Sequence, residues 1–192
     1  MFKKVIVGFF IPVLMMAIVF SSCKKDENAR DGYDVINHDA SNFDAPGLPS
    51  GSYISAAKFT SATFSNLSGR DLTEIDFYIK DVPSSSFIVV YEGTDANGFP
   101  ANEIYSKSVS VNGEDWNTHV LTTPITLGTE DIWLAFEYTQ TGTQNVLGCD
   151  PGPAKTNGDW HYDEADQDWI PLSQRGGGTS INWNLRGWVS PN

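Results

Sequence analysis

Apolar and polar residues alternate most cleanly over Asp131–Tyr138, where Ile132, Leu134, Phe136 and Tyr138 share one face and Trp133, Ala135 and Glu137 the other. A period of two with aromatic residues on both faces predicts a strand deep in a sheet whose second face is partly covered as well. Leu72–Lys80 repeats the pattern, with Ile75, Phe77 and Ile79 inward and Glu74, Asp76 and Lys80 outward. Phe87–Tyr91 is a continuous apolar run and predicts a central strand. Tyr53–Phe59 is a further strand candidate, its Ala56 and Ala57 suggesting close packing against a neighbour, and Val35-Ile36 is a brief apolar pair.

Turn residues punctuate these runs. Pro83 and Ser84–Ser86 follow one strand, and Asp95-Ala96-Asn97-Gly98 forms a tight loop. Ile104–Val111 alternates again and runs into Asn112-Gly113, a hairpin signal, which leads to Trp116–Leu121 with Pro124 as its stop. The last forty residues change character. Asp150-Pro151-Gly152-Pro153 and Asn157-Gly158-Asp159 read as a long polar loop, followed by the aromatic runs Trp160-His161-Tyr162 and Trp169-Ile170-Pro171-Leu172. Gly176–Gly178 reads as a link, and Ile181, Trp183 and Leu185 alternate with Asn182, Asn184 and Arg186 as a final strand. Short strands every eight to twelve residues, with no amphipathic helix between them, predict an all-β fold: a single antiparallel β-sandwich over residues 33–192.

The N-terminal segment reads as an address. Lys3 and Lys4 precede sixteen apolar residues, Val5–Phe20, and then Ser21-Ser22. That is short for a permanent membrane span and has the layout of a signal peptide over residues 1–22. Small residues before Cys23 resemble the lipobox of bacterial lipoproteins, so Cys23 is the expected lipidation site; an ordinary secretory cleavage with Cys23 incidental is the alternative. Residues 23–32, which include Lys24-Lys25-Asp26-Glu27, are too polar to bury a core and read as a tether. A Cys followed by this lysine and acidic mixture resembles lipoproteins of Bacteroidota with a surface-export signal. The resemblance implies an outer-membrane lipoprotein displayed at the cell surface.

Charge narrows the partners. The full chain holds 24 acidic and 12 basic residues; removing the leader with its Lys3 and Lys4 leaves 10 basic against 24 acidic, a formal −14. Such an excess argues against nucleic acid, whose phosphates attract Lys and Arg, and the predicted membrane association is through the N-terminal lipid alone. With Cys23 lipidated, Cys149 has no partner in the chain and is expected to be a small buried apolar residue.

The order of motifs carries a resemblance. Ala56-Ala57-Lys58-Phe59, Leu72–Ile79, Val90-Tyr91-Glu92-Gly93, Ile104-Tyr105-Ser106, Trp116-Asn117, Ile132-Trp133-Leu134, Gly148–Ala154 and Asn182–Gly187 follow one another at intervals similar to those of the jelly-roll-like β-sandwich modules that Bacteroidota place on secreted peptidases, adhesins and surface lipoproteins. The resemblance covers Tyr33 to Val189, and departs at Trp133-Leu134-Ala135-Phe136, where such modules often carry Trp-Ile-Gly-Tyr. It implies a jelly-roll-like sandwich in an accessory or adhesive role, and no catalytic site.

The residues themselves point the same way. His38, His119 and His161 have no Cys or second His at zinc-binding spacing, and no Gly-x-Ser-x-Gly elbow is present. Carboxylates are plentiful among Asp163, Glu164, Asp166 and Asp168, so residue type alone admits a glycosidase pair. Asp150, Asp159, Asp163, Asp166 and Asp168 could supply oxygens to a structural Ca²⁺ ion, although their spacing is not that of an EF-hand; a solvated acidic loop is the plainer reading. Trp160, Tyr162, Trp169 and Trp188 are the candidate ligand-binding residues, because flat rings beside Asp and Asn suit a sugar, which stacks on one face and hydrogen-bonds at its edges. The plainer reading of these rings is core at one end of the sandwich. The expected function is non-catalytic binding or adhesion to an extracellular glycan or protein. A structural, accessory role in an envelope complex is the alternative, and a hydrolase using the acidic loop a third.

Overall fold

The computed structural model describes residues 30–191, so the leader, Cys23 and most of the tether lie outside the described residues. Ten strands follow in order: β1 (Asp34–Asn37), β2 (Gly51–Phe59), β3 (Asp71–Ile79), β4 (Ser85–Thr94), β5 (Pro100–Ser108), β6 (Asp115–Thr126), β7 (Ile132–Gln140), β8 (Trp160–Asp163), β9 (Asp168–Pro171) and β10 (Leu185–Val189). Two short 3₁₀ turns, Ser65–Leu67 and Leu172–Gln174, are the only helical pieces among the described residues. The strands form two antiparallel sheets, ordered β1-β10-β3-β6 and β5-β4-β7-β2-β8-β9. With β8 and β9 set aside, each sheet has four strands, and the chain passes between the sheets in the double Greek-key sequence of a jelly roll. The β8–β9 hairpin is therefore an addition to a complete eight-stranded framework, inserted before the last strand and extending one sheet beyond β2.

β7 lies at the centre. It pairs with β2 in unbroken register from Gly51↔Gln140 to Phe59↔Ile132, and with β4 from Ser85↔Thr139 to Glu92↔Ile132. Its inward face, Ile132, Leu134, Phe136 and Tyr138, meets Leu72, Ile75, Phe77 and Leu185 of the opposite sheet. Phe77 and Phe136 stand 5.1 Å apart across the gap. Each fully buried Leu, Ile or Phe stabilises the fold by about 1.5–3 kcal/mol. The sheets close tightly over Gly187, where a Cβ would come within 2.8–3.0 Å of Leu72, Ile36 and Leu134. Trp133 and Ala135, on the opposite face of β7, are fully buried too, as aromatic content on both faces predicts.

Four expectations require correction. Asn112-Gly113 does not turn a hairpin, because β5 and β6 lie in different sheets. It belongs to a crossover pinned by Asn117, whose Nδ2 donates to Asn112 O (2.9 Å) while its Oδ1 accepts from Asn112 N (2.8 Å). Pro124 does not stop its strand: β6 is an edge strand, and Pro124 falls where the register slips between Leu72↔Ile125 and Glu74↔Val120, so its missing N–H costs no ladder bond. Asp76 is outward by parity yet buried, accepting from Thr118 Oγ1 (2.6 Å) and Trp188 Nε1 (2.6 Å). The final strand begins at Leu185 rather than Ile181, and its alternate polar residues are buried, not solvated. Arg186 meets Asp39 through Nε (2.9 Å) and Nη2 (2.8 Å) and stacks 4.3 Å over Trp116, while Asn184 Nδ2 reaches the same Asp39 carboxylate (2.9 Å).

Candidate binding surface

The outer face of the six-stranded sheet, the one turned away from the main core, has a floor of small residues. Val89, Ala135, Ala56 and Trp160 lie in one row across β4, β7, β2 and β8. Tyr91, Trp133 and Lys58 form the next row on one side; Phe87, Glu137, Ile54, Tyr162 and Trp169 form the row on the other. Parity places all of them on one face.

Trp169 then reaches back across that floor. Its ring centroid lies 5.5 Å from Tyr162, 6.2 Å from Trp133 and 6.4 Å from Tyr91. Tyr91 is on β4, four strand intervals from β9, or about 19 Å across a flat sheet. Contact at 6.4 Å therefore requires the sheet to curl and the hairpin to fold over its own face. Ala56 and Ala135 permit this, since larger side chains would fill the space beneath the indole. Trp160 completes the arch, with its ring 5.4 Å from Trp133 and 6.4 Å from Phe99. Offset and edge-on pairs of this kind contribute about 0.5–1.5 kcal/mol each beyond the area they bury.

Three of the four expected aromatic residues are thus brought together, and all three are half-buried. The arch is both a small second core and a surface. Trp188 does not join it. Because Gly187 points between the sheets, Trp188 points out of the four-stranded sheet, on the opposite side of the sandwich, where it is 3 % exposed and bonded to Asp76. Tyr91, Phe99 and Trp133 are members of the cluster that aromatic-run reasoning missed; the strand parity of Tyr91 and Trp133 was the available signal.

Depressions flank the arch. One, of about 360 Å³, opens beside Trp160 between Lys155–Asn157 and Pro171–Gln174. Asn157 takes a left-handed conformation (φ 72°) there, and its Oδ1 accepts from Trp160 Nε1 (3.4 Å). A second, of about 230 Å³, lies beside Tyr162, with Ile54, Glu137 and Glu164 around it. Burial pushes the Glu137 carboxyl above its ordinary range, and the neighbouring Glu103 and Glu164 push it further. At the other end of the face Lys58 Nζ lies 5.1 Å over Trp133 and 3.1 Å from Asp131. Burial works against the Asp131 charge, but hydrogen bonds from Ser61 N–H, Lys58 and Thr94 outweigh it and hold that carboxyl low.

The five aspartates considered for Ca²⁺ are dispersed into structural tasks. Asp150 is buried; its Oδ1 accepts from Gly152 N (2.9 Å) and Asn182 N (2.8 Å), and its Oδ2 from Asn182 Nδ2 (2.9 Å) and Ala40 N (3.2 Å). Asp159, also buried, takes Ser173 N at 2.8 Å. Asp163 and Asp166 belong to the acidic β8–β9 turn, held by Arg175 at 3.9 and 3.0 Å, and Asp168 opens β9 opposite Asp163. Among the described residues no three His, Cys, Asp or Glu side chains are gathered so as to hold a metal ion.

The histidines are equally dispersed. His38 stacks on Phe59 (4.7 Å) and His119 meets Tyr105 OH (2.7 Å). His161 Nδ1 lies 3.2 Å from Ser55 Oγ, but both residues are buried, at 1 % and 0 % exposure, so this pair cannot meet a substrate. Cys149 is buried and free, its thiol pushed up to about 12 by burial and by Asp150 and Asp44.

A jelly-roll sandwich with one added, aromatic-bearing hairpin is thus the class of structure defined here. No family model matches the chain, and no curated protein matches it. Among solved structures the chain is similar to the clostridial cysteine protease Cwp84 after propeptide cleavage, with 13 % identity and a TM-score of 0.58 over 85 % of this chain and 41 % of that one. It is similar also to the structure of the cysteine protease and lectin-like domains of Cwp84, a surface-layer-associated protein of Clostridium difficile, with 13 % identity and a TM-score of 0.55 over 85 % of this chain and 37 % of that one. The chain thus spans about two-fifths of those proteins, and the likeness is one of fold.

Proposed function

We propose that this domain is a non-catalytic, cell-surface binding module that recognises an extracellular glycan on the outer face of its six-stranded sheet, tethered to the outer membrane by a lipid on Cys23. The observation that carries the reading is the convergence of Trp160, Tyr162 and Trp169 on one face, half-buried and next to depressions edged with carboxylates, amides and hydroxyls. Half-burial holds the rings rigid and leaves part of each available, so little conformational entropy is lost when a sugar stacks on them. The fold shared with a surface-layer-associated protein that has a lectin-like domain supports the same reading.

A glycan-array screen of the purified protein, repeated with EDTA, tests it. The expected result is a specific signal that survives EDTA and is abolished by Trp160→Ala. A folded protein with no signal on any glycan would overturn the proposal and favour an accessory role in an envelope assembly.

A further inference from the structure

The hairpin offers two depressions, and they are chemically different. The one at Trp160 presents an indole ring together with the Asn157 amide and Ser173. The one at Tyr162 presents a phenol ring and Ile54 with two carboxylates, Glu137 and Glu164, which in ionised form accept hydrogen bonds and donate none. Trp160 and Tyr162 are alternate residues of β8 on the same face, about 7 Å apart along the strand. That separation falls within the span of two linked pyranose rings. The acceptor-only groups at Tyr162 suit a ligand that donates many hydroxyls. An anionic sugar would bring like charge to Glu137, which is already crowded by Glu103 and Glu164, on a protein of formal net charge −12.

Resting on the glycan reading above, we propose that the ligand is a linear, uncharged oligosaccharide laid along β8, one sugar at Trp160 and the next at Tyr162, its hydroxyls donating to Glu137 and Glu164. The Trp160 subsite stacks; the Tyr162 subsite counts hydroxyls and rejects anions. Length selectivity then arises along β8, and charge selectivity from carboxylates on β7 and in the turn that follows β8.

Isothermal titration of the full chain in detergent tests this. The probes are cellotetraose, laminaritetraose, chitotetraose and mannotetraose, each with its mono- and disaccharide, and tetragalacturonate as the anionic counterpart. At least one neutral tetrasaccharide is expected to bind tenfold or more tighter than its monosaccharide, and tetragalacturonate at least tenfold more weakly than that tetrasaccharide. Glu137→Gln and Tyr162→Ala are expected to weaken the tetrasaccharide fivefold or more and leave the monosaccharide unchanged. Trp160→Ala, with Trp160→Phe as the variant that keeps a ring, should weaken both ligands alike. Equal affinity for monosaccharide and tetrasaccharide, or preference for tetragalacturonate, overturns the two-subsite arrangement and leaves the glycan reading standing. Absence of binding to every probe, with the circular dichroism of a folded β protein, also overturns the two-subsite arrangement, and the glycan reading then falls only if the array is blank as well.

Discussion

Replacing Asp150 separates a structural carboxylate from a metal ligand. In the folded protein it accepts from Gly152 N, Asn182 N, Asn182 Nδ2 and Ala40 N, and it is 3 % exposed. In Asp150→Ala, Asn182 Nδ2 keeps Pro153 O (3.1 Å) and Ala40, an exposed residue, regains water. Gly152 N and Asn182 N lose their acceptor. Each orphaned donor costs about 1–3 kcal/mol, so the expected loss is about 4 kcal/mol of a total near 5–15 kcal/mol. At 2–4 °C per kcal/mol for a domain of this size, the melting temperature should fall by about 8–16 °C. Asp150→Asn keeps Oδ1 for those two donors but turns an NH₂ toward the others, so it should lose about 2 kcal/mol and fall between. Thermal unfolding followed by circular dichroism, with and without EDTA, reads all three proteins. An Asp150→Ala variant within about 1 kcal/mol of the parent would refute the reasoning, as would a parent destabilised by EDTA alone.

Acid sensitivity should centre on His161. Its burial, with Arg175 adding repulsion, lowers its pKa from 6.5 to about 3, so the unfolded chain binds a proton there that the folded one refuses. The contribution is fully present above pH 6.5 and is lost as pH falls toward 3, at about 1.4 kcal/mol per pH unit; denaturant titrations across that window should show the slope, and His161→Gln should flatten it. Gly152→Ala should destabilise the polar loop, because φ is 72° and a Cβ would stand 2.0 Å from Ser180 O; chemical denaturation should show a loss of 2 kcal/mol or more. Ala56→Leu should push Trp169 off the floor at a cost of about 1–3 kcal/mol, seen as lost stability and a red-shifted tryptophan emission. Cys149 should resist maleimide in the native protein and react at once in denaturant, since its thiolate is suppressed and buried.

Strand parity made much of the framework legible, and its failures share a cause. The alternations at Ile75–Ile79 and Ile132–Tyr138 report which face meets a core, and both are right. They do not report which strand pairs with which, so Asn112-Gly113 read as a hairpin where the chain crosses to the other sheet. They also treat polar residues as solvent-facing. Asp39, Asp76, Asp150, Asn182, Asn184 and Arg186 are all buried because partners distant in sequence satisfy them, and no local window contains both halves of a pair such as Asp39 and Arg186, separated by 147 residues. Of the candidate site, the aromatic runs at Trp160 and Trp169 were visible. Their convergence with Tyr91 and Trp133 depends on the curl of the sheet and on two alanines, which only the assembled sheet reveals.

The unequal width of the two sheets has a dynamic consequence. Among the described residues the four-stranded sheet has two strands fewer than the sheet that carries β8 and β9, and irregular chain covers the inner side of this hairpin, with Leu172, Ile181 and Trp183 in the core there and Trp183 Nε1 bonded to Trp160 O (2.9 Å). Amides of β7, paired on both sides, should exchange with solvent deuterium only on global unfolding, whereas those of β9, at the sheet edge, should exchange through a cheaper local opening. Because the aromatic face is carried by that hairpin, each opening removes the binding-competent state. The apparent affinity for any ligand is multiplied by the fraction of time the hairpin is closed, and ligand in turn slows the exchange of β8 and β9 while leaving β7 untouched.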